Sequence, residues 1–284
     1  MVKFFFRLVS YLIPLFIIQA LGSLLGVIFH YFKKKTKAIL ILNLRLSELY
    51  KNETQLNIAI KKNICETGKT ILESIIIWVS SKERILRWIY SVDGEAEIIK
   101  AQKKNKGIIF LTPHLGCYEI TSIYYGATNP ITVLYRPSRK SWLADLIVEG
   151  RKKGYVKLAQ TNSSGVKSIL MALKKGEAIG ILPDQLATKG EGEWAPFFKR
   201  QALTMTLVSR LVKKTGATVI MAYAERISLG RGFIIHLETI EGNDIDTPTK
   251  LNFQLEKQIR KSPTQYLWNY DRYKGHESQI GRNI

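Results

Sequence analysis

Short apolar runs, four or five residues long and closed by a proline or a charged residue, recur through the second half of the chain. The clearest cover residues 108–111, 131–135 and 178–182. Apolar runs of this length that end at such residues indicate buried strands. Segments with helical spacing separate them, and strands that alternate with helices indicate a mainly parallel sheet covered on both faces. The sequence therefore predicts an α/β fold with a mainly parallel central sheet flanked by helices.

The same patterns predict the individual elements. Strands are predicted at 108–111, 131–135, 156–158, 178–182, 218–223 and 232–238, the last at an edge of the sheet. Helices are predicted at 36–50, 52–80, 81–90, 141–153, 165–173, 203–215 and 248–261, with another that starts near Tyr118. The Gly-rich stretch at 188–193 predicts a loop.

The N-terminus carries a second strong signal. Residues 8–32 contain no Asp, Glu, Lys or Arg, and a run longer than about 18 apolar residues is long enough to cross a bilayer. Because the run exceeds the apolar region of a cleavable signal peptide, we predict an uncleaved membrane-anchor helix. The basic cluster at 33–37 then keeps the following chain on the cytoplasmic side. Lys3 and Arg7 on the other flank leave open a monotopic helix in the membrane interface, and a buried core helix is the remaining alternative.

These signals predict the domain organisation. Residues 1–35 form the anchor helix and its basic flank, and residues 36–284 form a cytoplasmic-side domain. Within that domain the patterns are helical over 36–95 and α/β over 96–284.

The charge of the chain predicts an anionic partner. With 43 Lys and Arg against 23 Asp and Glu, the formal net charge of the 284 residues is +20. Nucleic acid, an acidic protein and an anionic lipid surface all fit such a charge. The basic and aromatic residues of the predicted helix 81–90 suit a lipid headgroup surface, although a packed helix with a solvated basic face fits equally well.

Polar residues follow three of the predicted strands and suggest a site. His114, Arg136 and Asp184 come after the runs at 108–111, 131–135 and 178–182, and Arg151 ends the helix between the last two. Ligand sites in open α/β sheets gather beyond the carboxyl ends of the strands. Histidine titrates near neutrality and can act as a base when a carboxylate fixes its tautomer.

Glu119 lies five residues after His114 and could be that carboxylate, because the intervening loop contains Gly116. The His-x4-Glu spacing alone is also compatible with a structural pair. Cys117 lies in the same loop but no second base is apparent for it, so we predict a small buried thiol rather than a nucleophile. Four scattered histidines and two cysteines give no recognisable metal-site spacing.

With these motifs in order, the chain resembles the late acyltransferases of lipid A biosynthesis, within the wider glycerolipid acyltransferase superfamily. One departure is Lys199, which stands where the family pattern often has glycine after its Pro-Phe-Phe. The resemblance runs from the N-terminal run through TPHLGCYE (His114, Glu119), VLYRP (Arg136), Arg151, LPDQ (Asp184, Gln185), APFF and the closing PTQYLWNYDRYK.

The resemblance implies a glycerolipid acyltransferase-like fold and the transfer of an acyl chain from a thioester carrier to a hydroxyl. His114 would remove the proton from the attacking hydroxyl, and Glu119 would orient and support His114. Arg151, or backbone N–H groups at 115–118, would stabilise the tetrahedral oxyanion.

It also implies substrate-binding residues. Arg136 would bind a phosphate of the acceptor or carrier. Asp184, with Gln185, would position Arg151 or the acceptor, and a structural salt bridge is the alternative role of Asp184. No metal or cofactor is required, because the thioester supplies the activation.

The expected partners are acyl carrier protein as the donor, a lipid A precursor as the acceptor and the anionic surface of the inner membrane, with no nucleic acid. Coenzyme A as the donor stays open, as does another acceptor such as a lysophospholipid or aminolipid. A non-enzymatic basic protein that binds membrane or nucleic acid is a further alternative, although it needs no His/Glu pair.

Overall fold

The computed structural model describes residues 13–138, 140–188 and 190–275, which are arranged around a seven-stranded sheet. The helices are α1 (Leu15–Phe32), α2 (Lys34–Leu46), α3 (Glu53–Val79), α4 (Lys82–Leu86), α5 (Glu95–Lys103), α6 (Glu119–Gly126), α7 (Ser141–Arg151), α8 (Ser163–Lys174), α9 (Leu207–Thr215) and α10 (Pro248–Ile259). The strands are β1 (Ile89–Asp93), β2 (Ile108–Leu111), β3 (Ile131–Tyr135), β4 (Val156–Gln160), β5 (Ala178–Ile181), β6 (Gly192–Phe197), β7 (Arg200–Met205), β8 (Thr218–Arg226) and β9 (Phe233–Ile240).

The central sheet has the strand order β1-β9-β8-β2-β5-β3-β4, and only the β8–β9 pair is antiparallel. Every residue of β2 and β5 is buried, as expected for central strands covered by helices on both faces. The buried apolar side chains divide into two clusters. The prediction of an α/β fold with a mainly parallel sheet is confirmed.

Two predictions at the far side of the sheet are wrong. The predicted helix 81–90 ends early, since α4 stops at Leu86 and β1 begins at Ile89. The strand at 232–238 is not at an edge, because β1 lies outside it and pairs with β9. Its alternating burial resembled that of an edge strand, and the short β1 gives no comparable pattern of its own.

The stretch after the predicted loop also differs. Strands β6 and β7 form a separate antiparallel hairpin, where the sequence predicted a loop followed by a helix from residue 203. Helix α9 begins only at Leu207. Phe198 and Lys199 occupy the turn with positive φ, so Lys199 adopts the left-handed conformation that glycine supplies most easily.

Helix α1 is 18 residues long and is apolar enough to cross a membrane by length and composition. It packs along α3 at close range. Gly22 and Gly26 of α1 oppose Gly68 of α3, and a Cβ at Gly68 would lie 2.1 Å from the Gly22 carbonyl oxygen. Small residues spaced by four allow helix backbones to approach this closely. The start of the predicted apolar run, at 8–12, lies outside the described residues.

Candidate active site

The site lies beyond the carboxyl ends of β2 and β5, which are parallel neighbours in the centre of the sheet. Leu111 and Ile181 are paired in the sheet register, and the backbone N–H of Thr112 donates to the Ile181 carbonyl at 3.0 Å. His114 and Asp184 therefore each lie three residues beyond a paired position. This shared register brings together two residues that are seventy positions apart in the chain.

His114 and Asp184 form a two-point hydrogen bond. The ring Nδ1 of His114 lies 2.9 Å from Asp184 Oδ1, and the backbone N–H of His114 donates to Oδ2 at 2.9 Å. The Asp184 side chain is 2% exposed and that of His114 is 11% exposed. Burial disfavours the charge of Asp184, but His114 and the backbone amide outweigh burial and hold the pKa of this carboxyl below its ordinary value.

Gln185 lies at the other nitrogen of the same imidazole. When Nδ1 carries the proton and donates it to Asp184, Nε2 is left as an acceptor. The side-chain amide nitrogen of Gln185 is 3.2 Å from His114 Nε2 and can donate to it. The arrangement thus favours the tautomer in which Nε2 is the proton acceptor, and the Gln185 amide occupies the position from which a substrate donor would reach it.

The loop that carries His114 is held by neighbouring backbone. Gly116 has a φ of +62°, and a Cβ there would lie 2.0 Å from the Ala224 carbonyl oxygen. The amides of Leu115, Gly116 and Cys117 donate to the carbonyls of Pro113, Gln265 and Ala224. Three of the expected oxyanion donors at 115–118 are therefore already engaged within the protein, because the loop needs these bonds to attach to β8 and the C-terminal segment.

Glu119 pairs with Arg151. The sequence had suggested a pair between Glu119 and His114, and the structure does not have it. Arg151 Nε donates to Glu119 Oε2 at 2.9 Å, and Nη2 donates to Oε1. The reason for the difference is that the bound loop turns His114 toward Asp184, whereas Glu119 begins α6. The Glu119 side chain is 2% exposed. Burial lowers the pKa of the Arg151 guanidinium, but the Glu119 charge outweighs burial and raises it above its ordinary value.

Asp184 likewise differs from its expected role of positioning Arg151. The two pairs, His114–Asp184 and Arg151–Glu119, are separate in the structure. A small cavity of about 30 Å³ adjoins the second pair and is lined by Thr112, among other residues. A cavity of this size holds about one water.

Arg136 lies away from both pairs, at the rim of a groove. Its guanidinium is exposed, with Nη2 3.4 Å from the Thr188 hydroxyl. The groove has a volume of about 460 Å³ and begins at Leu186, next to Gln185. Its rim also carries Arg210 and Lys214, and its lining includes Leu134, Leu170, Met205, Leu207, Leu211 and the acidic Glu191. The groove is therefore mainly apolar inside and basic at the rim.

Several residues that shape the site were given no role from the sequence. The Gln265 carbonyl accepts a hydrogen bond from the Gly116 amide, and the Leu267 amide donates to the His114 carbonyl at 3.0 Å. Tyr266, between them in the chain, forms an isolated antiparallel β-bridge with Leu115. The only signal was the closing run PTQYLWNYDRYK. Cys117 is buried, and burial, followed by the charge of Glu73, raises the pKa of its thiol well above the ordinary value. A thiol in that state is a poor nucleophile.

Comparison with known proteins identifies the family. Residues 1–275 match the family described as bacterial lipid A biosynthesis acyltransferase. The chain belongs to this family. It is 27% identical over 267 residues to the lipid A biosynthesis palmitoleoyltransferase of Escherichia coli K12, covering 92% of this chain and 86% of the relative. The lauroyltransferase of the same organism is 27% identical over 268 residues, covering 92% and 87%.

A lipid A biosynthesis acyltransferase of Haemophilus influenzae is also similar, at 25% identity over 271 residues, or 92% of this chain and 86% of the relative. The protein is therefore an acyltransferase, and the resemblance drawn from its motifs is confirmed. The matches begin before the site and extend past it, so the acyltransferase family accounts for nearly the whole chain.

Proposed function

We propose that this acyltransferase moves a fatty acyl chain from an acyl carrier protein thioester to a hydroxyl of a lipid A precursor. The observation that carries the proposal is the imidazole of His114. It is held by Asp184 at 2.9 Å, is 11% exposed, and lies against Gln185, the residue before Leu186 of the groove. A fixed imidazole whose Nε2 accepts a proton is what attack by a weakly acidic hydroxyl requires.

The proton follows a closed path. His114 Nε2 takes the proton of the acceptor hydroxyl as its oxygen forms a bond to the thioester carbonyl carbon. Asp184 stabilises the imidazolium that results. The tetrahedral intermediate then breaks its carbon–sulfur bond, and the imidazolium returns the proton to the leaving thiolate. The acyl ester and the free carrier thiol are the products.

We assign Asp184, and not Glu119, the task of orienting His114. Glu119 instead holds Arg151 through a bidentate pair, and its buried carboxylate keeps the guanidinium in place. Arg151 Nη1 is not used in this pair, so we assign it the stabilisation of the developing oxyanion. A cation fixed in advance in a partly buried site stabilises such charge without reorganisation.

The groove suits an amphiphilic, phosphorylated substrate. Its apolar lining matches hydrocarbon, and its volume of about 460 Å³ lies in the range of small-molecule sites. Arg136, Arg210 and Lys214 at the rim provide donors for phosphate oxygens. The net charge of +20 favours association with an acidic carrier protein. We infer that the enzyme works at the inner membrane, on its cytoplasmic side, and the apolar helix α1 with the basic residues after it supports this inference.

The test is an acyl-transfer assay in membranes that contain the full chain. We expect acyl carrier protein thioester and an under-acylated lipid A precursor to give a product heavier by one acyl chain in mass spectrometry. His114→Ala should abolish the product, and full activity in that variant would contradict the mechanism.

The matched control is His236→Ala, which removes a histidine that also contacts carboxylates, those of Asp93 and Glu225. Coenzyme A thioesters and lysophospholipid acceptors are run in parallel. Faster turnover with either one would show that the proposed donor or acceptor is wrong, but it would not contradict the acyltransferase chemistry.

A further inference from the structure

The outer face of α1 is apolar along its whole length. Two faces of this helix differ sharply: one packs against α3, and the other is open to solvent. The open face carries eight large apolar side chains that are 36–73% exposed, which are Phe16, Ile17, Leu21, Leu24, Val27, Ile28, Tyr31 and Phe32. Contiguous exposed apolar surface of this extent marks an interaction site.

The packed face attaches α1 to the catalytic domain from end to end. Its buried residues run from Leu15 to His30. Near the start, Gln19 donates to Glu73 of α3 at 3.0 Å. Glu73 in turn pairs with Arg226 at the end of β8, which also contacts Glu66. The helix is therefore joined to the central sheet through a buried polar network.

This attachment decides between a spanning and a lying helix. At 1.5 Å per residue, 18 residues are about 27 Å long, which nearly equals the hydrocarbon thickness. If α1 crossed the bilayer, α3 would enter the hydrocarbon with it. Lys69 of α3, which lies against Gly22 in the middle of α1, and its ion-pair partner Glu66 would then be in the hydrocarbon, which is highly unfavourable. A helix lying in the plane of the interface leaves them in water.

A second element extends the same surface. The turn between β8 and β9 abuts the start of α1, since a Cβ at Gly230 would lie 2.3 Å from the Phe16 Cα. Leu229 in this turn is 87% exposed and has a φ of +61°. A leucine in the left-handed region is strained, and at this exposure its side chain gains nothing from packing within the protein.

Basic residues flank the apolar surface at both ends. Arg231 is exposed beside Leu229, and its guanidinium contacts the Ser228 carbonyl. Lys33, Lys34 and Lys35 are exposed just past the other end of α1. An apolar face bounded by cations is the pattern of helices that bind the surface of anionic membranes.

We propose that α1 lies in the membrane interface with its outer face in the lipid, and that Leu229 inserts beside it as a second contact from the catalytic domain. This inference rests on the proposed membrane association and specifies its geometry. It commits to an anionic lipid bilayer as the occupant of the surface formed by the outer face of α1 and Leu229.

The test measures the depth of single fluorescent probes in the full chain. In a Cys65→Ser background, which leaves only the buried Cys117, a polarity-sensitive fluorophore is attached to Leu24→Cys or Leu229→Cys. Phe253→Cys is the matched control, because Phe253 is an exposed apolar residue, at 64%, on α10. The protein is bound to vesicles of phosphatidylethanolamine and phosphatidylglycerol that carry a quencher near the headgroup or at the bilayer centre.

We expect the probes at 24 and 229 to be quenched by the shallow lipid quencher more than by the deep one, and the probe at 253 to respond only to aqueous iodide.

A probe at 229 as open to iodide as that at 253, with 24 still in lipid, would overturn the inference but leave membrane association standing. Strongest quenching of 24 from the bilayer centre would show a spanning helix and also overturn it. If 24 and 229 are both open to iodide, or are shielded only by self-association without lipid quenching, membrane association itself fails. Acyl transfer is measured separately in each case.

Discussion

Asp184 accepts two hydrogen bonds from a single residue, one from the backbone N–H of His114 and one from its ring Nδ1. The two bonds use both carboxylate oxygens and fix the loop as well as the imidazole. This geometry makes Asp184 the residue whose removal should most directly test how His114 is held.

We expect Asp184→Asn to lower kcat by roughly 10²- to 10⁴-fold, because an amide can present its N–H to Nδ1 and favour the wrong tautomer. The double variant with His114→Ala should be no less active than His114→Ala alone, since both substitutions disable the same group. Steady-state acyl-transfer rates measure this. Asp93→Asn serves as the control, because Asp93 contacts His236 on the far side of the sheet and its loss should leave kcat within about twofold of wild type.

The same residue predicts a dependence of stability on pH. The pKa of Asp184 is lower in the folded protein than its ordinary value, so its carboxylate stabilises the fold above the ordinary aspartate pKa. That contribution is lost as the pH falls through the lower, folded value. Urea unfolding of wild type and Asp184→Asn should therefore differ most near neutrality and converge in acid. A difference that grows with acidity would contradict the assignment.

The pair of Glu119 and Arg151 predicts a different signature. Removing one partner of a buried ion pair leaves an uncompensated charge and costs about 3–5 kcal/mol. Glu119→Gln and Arg151→Met should each destabilise the protein, and the double variant should be more stable than the sum of the two predicts. Glu119→Gln combined with Asp184→Asn should instead be additive. Strong coupling between Glu119 and Asp184 would contradict this assignment and support an interaction of Glu119 with His114.

The contrast between these two pairs shows what sequence could and could not give. The strand ends were predictable because buried runs such as Ile108–Leu111 are local signals, and polar residues beyond them gather at one sheet edge. The partner of His114 could not be predicted in this way, because it depends on the pairing of Leu111 with Ile181 in the sheet register. The same limit hid β1, whose strand partner Phe233 is far along the chain.

The loop itself offers a last test through two glycines. Gly116→Ala would combine a positive φ with a Cβ 2.0 Å from the Ala224 carbonyl oxygen, whereas Gly190 also has a positive φ, of +87°, but nothing within 4 Å. Strain from φ alone costs of order 1 kcal/mol for alanine, so Gly190→Ala should lose about that much stability and keep its activity.

Gly116→Ala must also push the loop away from β8, which moves His114 relative to Asp184. We therefore expect a greater loss of stability and at least tenfold lower kcat, measured by urea unfolding and acyl transfer. Equal effects of the two substitutions would mean that the close approach to Ala224 does not position His114.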